Sequence, residues 1–318
     1  MNITVIGCGR WGSFIAWYLD RLGYNIKLYG RETSEKLERF RQTRTNDLLT
    51  LGERVKLTSD FSEALSSDII VISVNSQGLR DLMKQISAVG VYDKTFVLCM
   101  KGLEIGSGKR LSEIAEEYVD ESNKIAVWLG PGHVQEFVNE TPNCMVIDSK
   151  DEAAKRFLVS MFSSNLIRFY YGNDLIGNEI GAASKNVVGI AAGALDGLNL
   201  SSLKGALMSR ATREIAVLIK AMGGNELSAY GLCHLGDYEA TVFSQFSHNR
   251  KFGEMYVKGE HFLRLAEGYY TVQALMRMSK EVHTEIPICE AVFEVLYNKK
   301  DVREALNELF LRSIKPEF

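Results

Sequence analysis

Asn2-Ile3-Thr4-Val5-Ile6-Gly7-Cys8-Gly9-Arg10-Trp11-Gly12 opens the chain with a β-branched apolar run that ends in a G-x-G-x-x-G pattern. The glycines follow a strand-like run directly, and the stretch from about Trp11 to Leu22 after them reads as a helix. In that frame each glycine has a task. Gly7 permits a tight turn, Gly9 lets the backbone approach a pyrophosphate, and Gly12 allows helix and strand to pack, while the helix N-terminus offers amides and a partial positive charge. The reading is a dinucleotide-binding turn.

Working outward, Ile3 to Ile6, Ile26 to Tyr29, Asp68 to Val74, Thr95 to Met100, Ile125 to Leu129 and Cys144 to Ile147 read as strands between amphipathic stretches. The run Ile69-Ile70-Val71-Ile72 is continuously apolar, as a parallel strand covered on both faces must be. A doubly wound α/β sheet follows. After about residue 175 the strand runs stop and helical patterns take over, for example Leu203, Leu207, Ala211, Ile215, Leu218, Ile219 and Met222, ending at Gly223-Gly224 where a helix C-cap wants a left-handed residue. The expected division is a Rossmann-type domain over 1–174 and an all-helical domain over 175–318. Gly181 to Leu195 is a helix so rich in Gly and Ala that it sacrifices propensity. Two readings stay open for it: a central helix packed tightly by its neighbours, or one that carries Lys185 and Asn186 toward a cleft.

Composition bounds the function. The chain has 318 residues, 46% of them apolar and 24% charged, so a folded protein of one or two domains is expected. Lys plus Arg number 37 against 40 Asp plus Glu, a net charge of −3, which leaves no basic field to gather nucleic acid or anionic lipid. The five cysteines are scattered, with no C-x-x-C pair and no His cluster, so reduced thiols in a cytoplasmic setting fit better than disulfides or structural zinc, and no divalent-metal site is evident. Neither a signal peptide nor an apolar run of about 18 residues is present to suggest secretion or membrane spanning.

Further polar residues stand in glycine-rich or apolar contexts. Arg31 and Glu32 end the second strand, about twenty residues past the glycines, where an acid would bind the ribose hydroxyls of NAD and an arginine the 2′-phosphate of NADP. Arg31 favours NADPH, and Glu32 keeps the NAD alternative open. Lys101-Gly102 and Gly130-Pro131-Gly132 each follow a strand, at the carboxyl end where open α/β sheets bind ligands. Then come Lys185-Asn186, the run Gly231-Leu-Cys-His-Leu-Gly-Asp237 with Thr241, and Ser247-His248-Asn249-Arg250. His234, His261 and His283 read as ordinary structural or surface histidines.

Taken in order, Gly7-x-Gly9-x-Trp11-Gly12, Lys101-Gly102-Leu103-Glu104, Gly130-Pro131, Gly181-Ala-Ala-x-Lys185-Asn186-Val187 with Asp196-Gly197-Leu198, Leu235-Gly236-Asp237 with Thr241, Ser247-x-Asn249-Arg250 and Glu267-Gly268 cover nearly the whole chain. The set resembles the bacterial-type NAD(P)-dependent glycerol-3-phosphate dehydrogenases. The resemblance implies a Rossmann domain and a helical domain like that of 6-phosphogluconate dehydrogenase, with the active site between them. The implied reaction interconverts dihydroxyacetone phosphate and sn-glycerol 3-phosphate, feeding glycerophospholipid synthesis. By the same match Lys185 is the catalytic acid or base, Asp237 orients it, and Lys101 and the Gly130 backbone hold substrate oxygens. Asn186 and Thr241 join the substrate site, Ser247 and Asn249, with Arg250 as a further candidate, form the phosphate end, and Arg10, Trp11, Arg31, Lys101 and Glu267 contact NADP or NAD. A free lysine titrates near 10.4, so burial and Lys101 are expected to lower Lys185 while Asp237 opposes them, and the sequence leaves the balance open.

The chain departs from the family pattern at several places. His248 stands where members usually carry an arginine that serves phosphate binding, and histidine lacks its bidentate fork. Asn75 replaces a proline, Gly132-His133 replaces Ser-Phe, Val134 stands for alanine, and the customary Asn-Ala-Lys reads Ser202-Leu203-Lys204. Two rival readings follow: a related reductase for another small keto or hydroxy acid, and a dinucleotide-binding sensor without turnover. Small-residue helix faces make a homodimer plausible, although no feature identifies an interface.

Overall fold

Asn2–Ile6 forms the first strand (β1) of an eight-stranded sheet. It is followed by β2 (Asn25–Tyr29), β3 (Lys56–Thr58), β4 (Ile69–Ile72), β5 (Thr95–Leu98), β6 (Lys124–Leu129), β7 (Asn143–Ser149) and β8 (Ile167–Tyr171). The spatial order is β3-β2-β1-β4-β5-β6-β7-β8. The chain starts in the middle and winds outward in both directions, as a doubly wound sheet does. We obtained these elements from a computed structural model that describes residues 1–314, 316 and 317.

The first six strands run parallel, as the doubly wound reading expects, and β6 and β7 then pair antiparallel, with Leu129 opposite Val146 and Ala126 opposite Ser149. The connection explains it. Between β6 and β7 the only helix is Val134–Val138, five residues or about 8 Å of rise, against a strand of about 20 Å. It cannot carry the chain back to the start of the sheet. β8 then pairs parallel to β7 after the eleven-residue helix Glu152–Phe162. Two strands lack a conspicuous apolar run: β3 has three residues, and β8 alternates buried Ile167 and Phe169 with exposed Arg168 and Tyr170. All four residues of β4 are buried, and the strand stops at Ile72, short of Val74, where Ser73 N–H still bonds Ile6 O at 2.9 Å.

By contacts, Met1–Lys101 with Arg110–Leu175 form one unit, and Gly102–Lys109 with Ile176–Phe318 form the other. Residues 102–109, within the 1–174 span of the sequence reading, cluster with the second unit, where Leu103 is buried against Ile180, Val187 and Leu275. From Ile176 onward no strand occurs among the described residues. The principal helices are Leu175–Gly197, Lys204–Ala221, His248–Val257, Glu267–Glu281, Pro287–Tyr297 and Val302–Leu311. Gly223 sits past the second of these at φ +85°, the left-handed residue expected there. Among the described residues no helix is long and apolar enough to cross a membrane.

The Gly-Ala helix, Leu175–Gly197, is buried along most of its 23 residues. Its glycines are where other chain segments come closest. A Cβ on Gly193 would collide with Arg250 O, and one on Gly253 with Ile190 O, so helix His248–Val257 crosses it backbone to backbone. Dense packing of this kind leaves no room for even a methyl group. Close approach thus accounts for the low-propensity composition.

Buried Glu214 accepts from Ile288 N at 2.7 Å and Cys289 N at 3.0 Å, closing the N-terminus of helix Pro287–Tyr297. Burial outweighs these two bonds and pushes its carboxyl up from 4.5 to about 7. Between those values the folded state holds a proton that the unfolded chain has released. The stability Glu214 contributes is therefore full below about pH 4.5 and is lost as pH rises through about 7. In thermal unfolding, wild type should lose its advantage over Glu214→Gln between pH 5 and pH 8; a difference that stays constant with pH would refute this assignment.

Candidate active site

In the first unit, the glycine turn has the local shape the motif demands. Gly7 adopts φ +116°, and its N–H bonds Tyr29 O at 2.9 Å, tying the turn to β2. A Cβ on Gly12 would strike Gly7 O, whereas a Cβ on Gly9 would meet nothing within 4 Å. The two glycines thus do different work. Gly12 serves packing within the turn, and the space over Gly9, at the N-cap of helix Arg10–Arg21, fits an approaching pyrophosphate that would take the helix amides. Trp11 packs on Phe14 and Phe137 with ring centroids 5.0 and 6.2 Å away, and Arg10 donates to Gln135 Oε1 at 3.0 Å.

At the end of β2, both exposed residues offered to the ribose are now distinguishable. Arg41 holds Glu32 through two bonds of 3.2 Å and also reaches Ser59 Oγ at 2.8 Å. This pairing lowers the Glu32 carboxyl below its ordinary range. Arg31 makes no side-chain hydrogen bond or ion pair among the described residues and stays at the surface. Arg41, which the sequence reading left out, therefore decides which of the two neighbours is committed elsewhere.

The tips of β5 and β6 converge as expected. Lys101 Nζ donates to Gly130 O at 2.5 Å, and Gly130 itself sits at φ +124° against Met145. Asn75, in place of the family proline, caps the short turn Ser76–Gly78 by accepting from Gln77 N at 2.9 Å.

In the second unit, Lys185 lies on the Gly-Ala helix and is 8% exposed. Its Nζ is 3.1 Å from Asp237 Oδ2 and donates to Thr241 Oγ1 at 2.7 Å; that hydroxyl in turn donates to Asp237 O at 2.7 Å. Two residues more than fifty positions along the chain thus fix one ammonium. A buried ammonium needs such partners, since its charge is costly to desolvate. Next to it, Asn249 Nδ2 donates to Asn186 Oδ1 at 3.0 Å while its Oδ1 accepts from Gly268 N at 2.9 Å. With both ends engaged, Asn249 positions Asn186 and the start of helix Glu267–Glu281, where partly buried Glu267 is the first residue. Gly268 permits this approach, since a Cβ there would lie 2.5 Å from Asn186 O.

The residues expected at the phosphate end are largely occupied. Ser247 caps helix His248–Val257 by accepting from Arg250 N at 3.3 Å. Arg250 forms ion pairs with Asp196 at 2.7 Å and Glu254 at 3.3 Å, and Lys204 shares the same Asp196 oxygen at 2.7 Å. Half-buried His248 has its Nδ1 3.3 Å from Leu265 O and its ring edge-on to Phe262.

The glycine turn separates packing from ligand space, and that separation is measurable. Gly9→Ala should keep the wild-type melting temperature while weakening dinucleotide binding roughly tenfold or more, equivalent to about 1.4 kcal/mol. Gly12→Ala should instead destabilise the fold, as followed by thermal unfolding. Unchanged cofactor affinity in a folded Gly9→Ala protein would contradict this division of roles.

Known proteins resemble this chain over its whole length. Residues 2–155 match the family model described as NAD-dependent glycerol-3-phosphate dehydrogenase N-terminus, and residues 174–307 match its C-terminus counterpart. A protein of Fusobacterium nucleatum named glycerol-3-phosphate dehydrogenase, NAD(P)+, is 34% identical across 100% of this chain and 98% of its own length. One of the same name from Thermoanaerobacter is 34% identical across 100% of this chain and 99% of its own. The crystal structure of the Coxiella burnetii glycerol-3-phosphate dehydrogenase superimposes with a TM-score of 0.92 at 26% identity, over 98% of this chain and 99% of that one. With its glycine turn and its buried lysine both in place, the chain belongs to the NAD-dependent glycerol-3-phosphate dehydrogenase family.

Proposed function

We propose that this chain reduces dihydroxyacetone phosphate to sn-glycerol 3-phosphate, reversibly, with NADPH preferred over NADH, as a cytoplasmic enzyme. The observation that carries the reading is the buried Lys185 ammonium held between Asp237 Oδ2 and Thr241 Oγ1 on a glycine-rich helix. When bound, the dinucleotide supplies the hydride for C2 of the ketone. Reduction then leaves negative charge on the carbonyl oxygen unless a proton arrives. Lys185 Nζ is a donor suited to that oxygen, and in the reverse direction its neutral amine accepts the hydroxyl proton. Asp237 and Thr241 hold Nζ in place, so the lysine loses little freedom in reaching the reacting geometry.

The remaining residues receive consistent tasks. Lys101 and Gly130 O lie together at two adjacent strand ends, where Lys101 is a cation for substrate oxygens. Asn186, fixed by Asn249 through its carbonyl oxygen, joins the substrate site beside Lys185. His248 is the half-buried side chain that follows Ser247, while Arg250 is held by Asp196 and Glu254. It stands for the family arginine at the phosphate end. Five free thiols fit a reducing compartment.

Following NADPH oxidation with dihydroxyacetone phosphate and with unphosphorylated dihydroxyacetone tests the substrate. Saturable turnover is expected only with the phosphorylated ketone; equal rates with a hydroxy- or keto-acid substrate would favour a related reductase. Lys185→Ala should lower turnover by roughly 10²–10⁴. Lys185→Gln keeps an N–H for Asp237, so a similar loss in that variant separates proton transfer from the cost of stranding a buried carboxylate.

Cofactor choice rests on Arg31. Arg31→Ala should reduce kcat/KM for NADPH by roughly 10- to 100-fold, the worth of a charge-assisted hydrogen bond, and leave the value for NADH nearly unchanged. Equal losses with both cofactors would assign Arg31 no role at the 2′-phosphate.

A further inference from the structure

His234 lies three residues before Asp237 and is completely buried. Its ring makes contacts on both sides. Nδ1 is 2.8 Å from Gly181 O and 3.3 Å from Ser184 Oγ, and Nε2 is 2.8 Å from the Tyr238 hydroxyl. A carbonyl can only accept, so Nδ1 carries the hydrogen and donates to Gly181 O. Nε2 then has its lone pair free to accept from the Tyr238 O–H. In the uncharged ring these contacts fix a single tautomer.

The positions of its partners give this bond its meaning. Gly181 is four residues before Lys185 on the same helix, so Gly181 O is also the helical acceptor of the Lys185 backbone N–H. On the other side, His234 O accepts from Asp237 N at 3.0 Å. One residue thus holds the backbone of both members of the Lys185–Asp237 ion pair, through its ring on one side and its carbonyl on the other. Gly181 makes the approach possible, since a Cβ there would stand 3.0 Å from His234 Cβ.

We propose that His234 is a positioning residue for proton transfer: its imidazole fixes the register of the helix carrying Lys185 against the turn carrying Asp237. The inference rests on the reading of Lys185 as the proton donor. Burial keeps the ring uncharged, lowering it from 6.5 to about 4, with Asp237 opposing and Lys185 reinforcing that shift. The neutral form is the one whose Nε2 accepts from Tyr238, so both contacts hold throughout the neutral pH range.

Two substitutions separate positioning from simple core filling. His234→Phe keeps a ring but removes both nitrogens, while His234→Asn places its amide nitrogen near the former Nδ1 and keeps the donor to Gly181 O. His234→Phe should lower kcat for ketone reduction by about 10- to 100-fold, as a displacement of about 1 Å does. It should also shift the basic limb of the pH profile for glycerol 3-phosphate oxidation, with dinucleotide affinity within twofold of wild type. His234→Asn should recover most of kcat and return the limb toward wild type. Wild-type kcat and an unmoved limb in His234→Phe would overturn the proposal. So would equal losses in both variants that track their melting temperatures, because that is what a packing role alone would give. Should wild-type protein bind NADPH yet fail to reduce dihydroxyacetone phosphate, the dehydrogenase reading falls by itself. Lys185 Nζ titration followed by NMR in wild type and His234→Phe then decides the positioning role, and identical titrations would refute it.

Discussion

The helix Leu175–Gly197 is buried on nearly every side, and the second unit is organised around the backbone contacts its glycines allow. Helix His248–Val257 crosses at Gly193 and Gly253, the turn bearing Thr241 lies against Gly189, and His234 lies against Gly181. Larger residues at these places would force the neighbours away. Because the approach is so close, side chains from three separate segments reach Lys185 and Asn186. Glycine in a helix costs roughly 0.5–1 kcal/mol relative to alanine, and tertiary packing must offset that cost. The same contacts that compensate the poor propensity also assemble the site.

Charge inside this packing is consistently paired. Lys185 meets Asp237, and Lys204 and Arg250 share Asp196, with Lys204 also donating to Val242 O at 3.1 Å. Ion pairs buried this way contribute little net stability compared with apolar packing, but removing one partner costs about 3–5 kcal/mol. Their value is geometric. Asp196 fixes Arg250 and thereby the first turn of helix His248–Val257, which carries Asn249 to Asn186. The phosphate end of the family pattern is changed at its arginine, but the scaffold that would present it is intact.

Some of the site was legible because chemistry imposes a local pattern. The glycine turn announces itself through steric needs that adjacent residues must meet, and Lys101 and Gly130 through their places after apolar strands. Lys185 and Asp237 were legible through the resemblance and not through spacing, since no local rule joins residues 185 and 237. Other assignments required coordinates. That Arg41 claims Glu32, that Asp196 claims Arg250, and that Asn249 is spent on Asn186 and Gly268 all follow from which side chains become neighbours. His234 carried no signal beyond its burial in an apolar run.

By itself the sequence determined the α/β sheet followed by helices, the dinucleotide turn and the existence of the Gly-Ala helix, because backbone sterics, hydrophobic period and glycine placement act over a few residues. Tertiary structure alone decided the reversal at β7, the partner of each buried charge and the hold of His234 on both sides of the ion pair. Those outcomes depend on contacts between residues separated by tens of positions, and a one-dimensional pattern does not specify which groups will share the same buried volume.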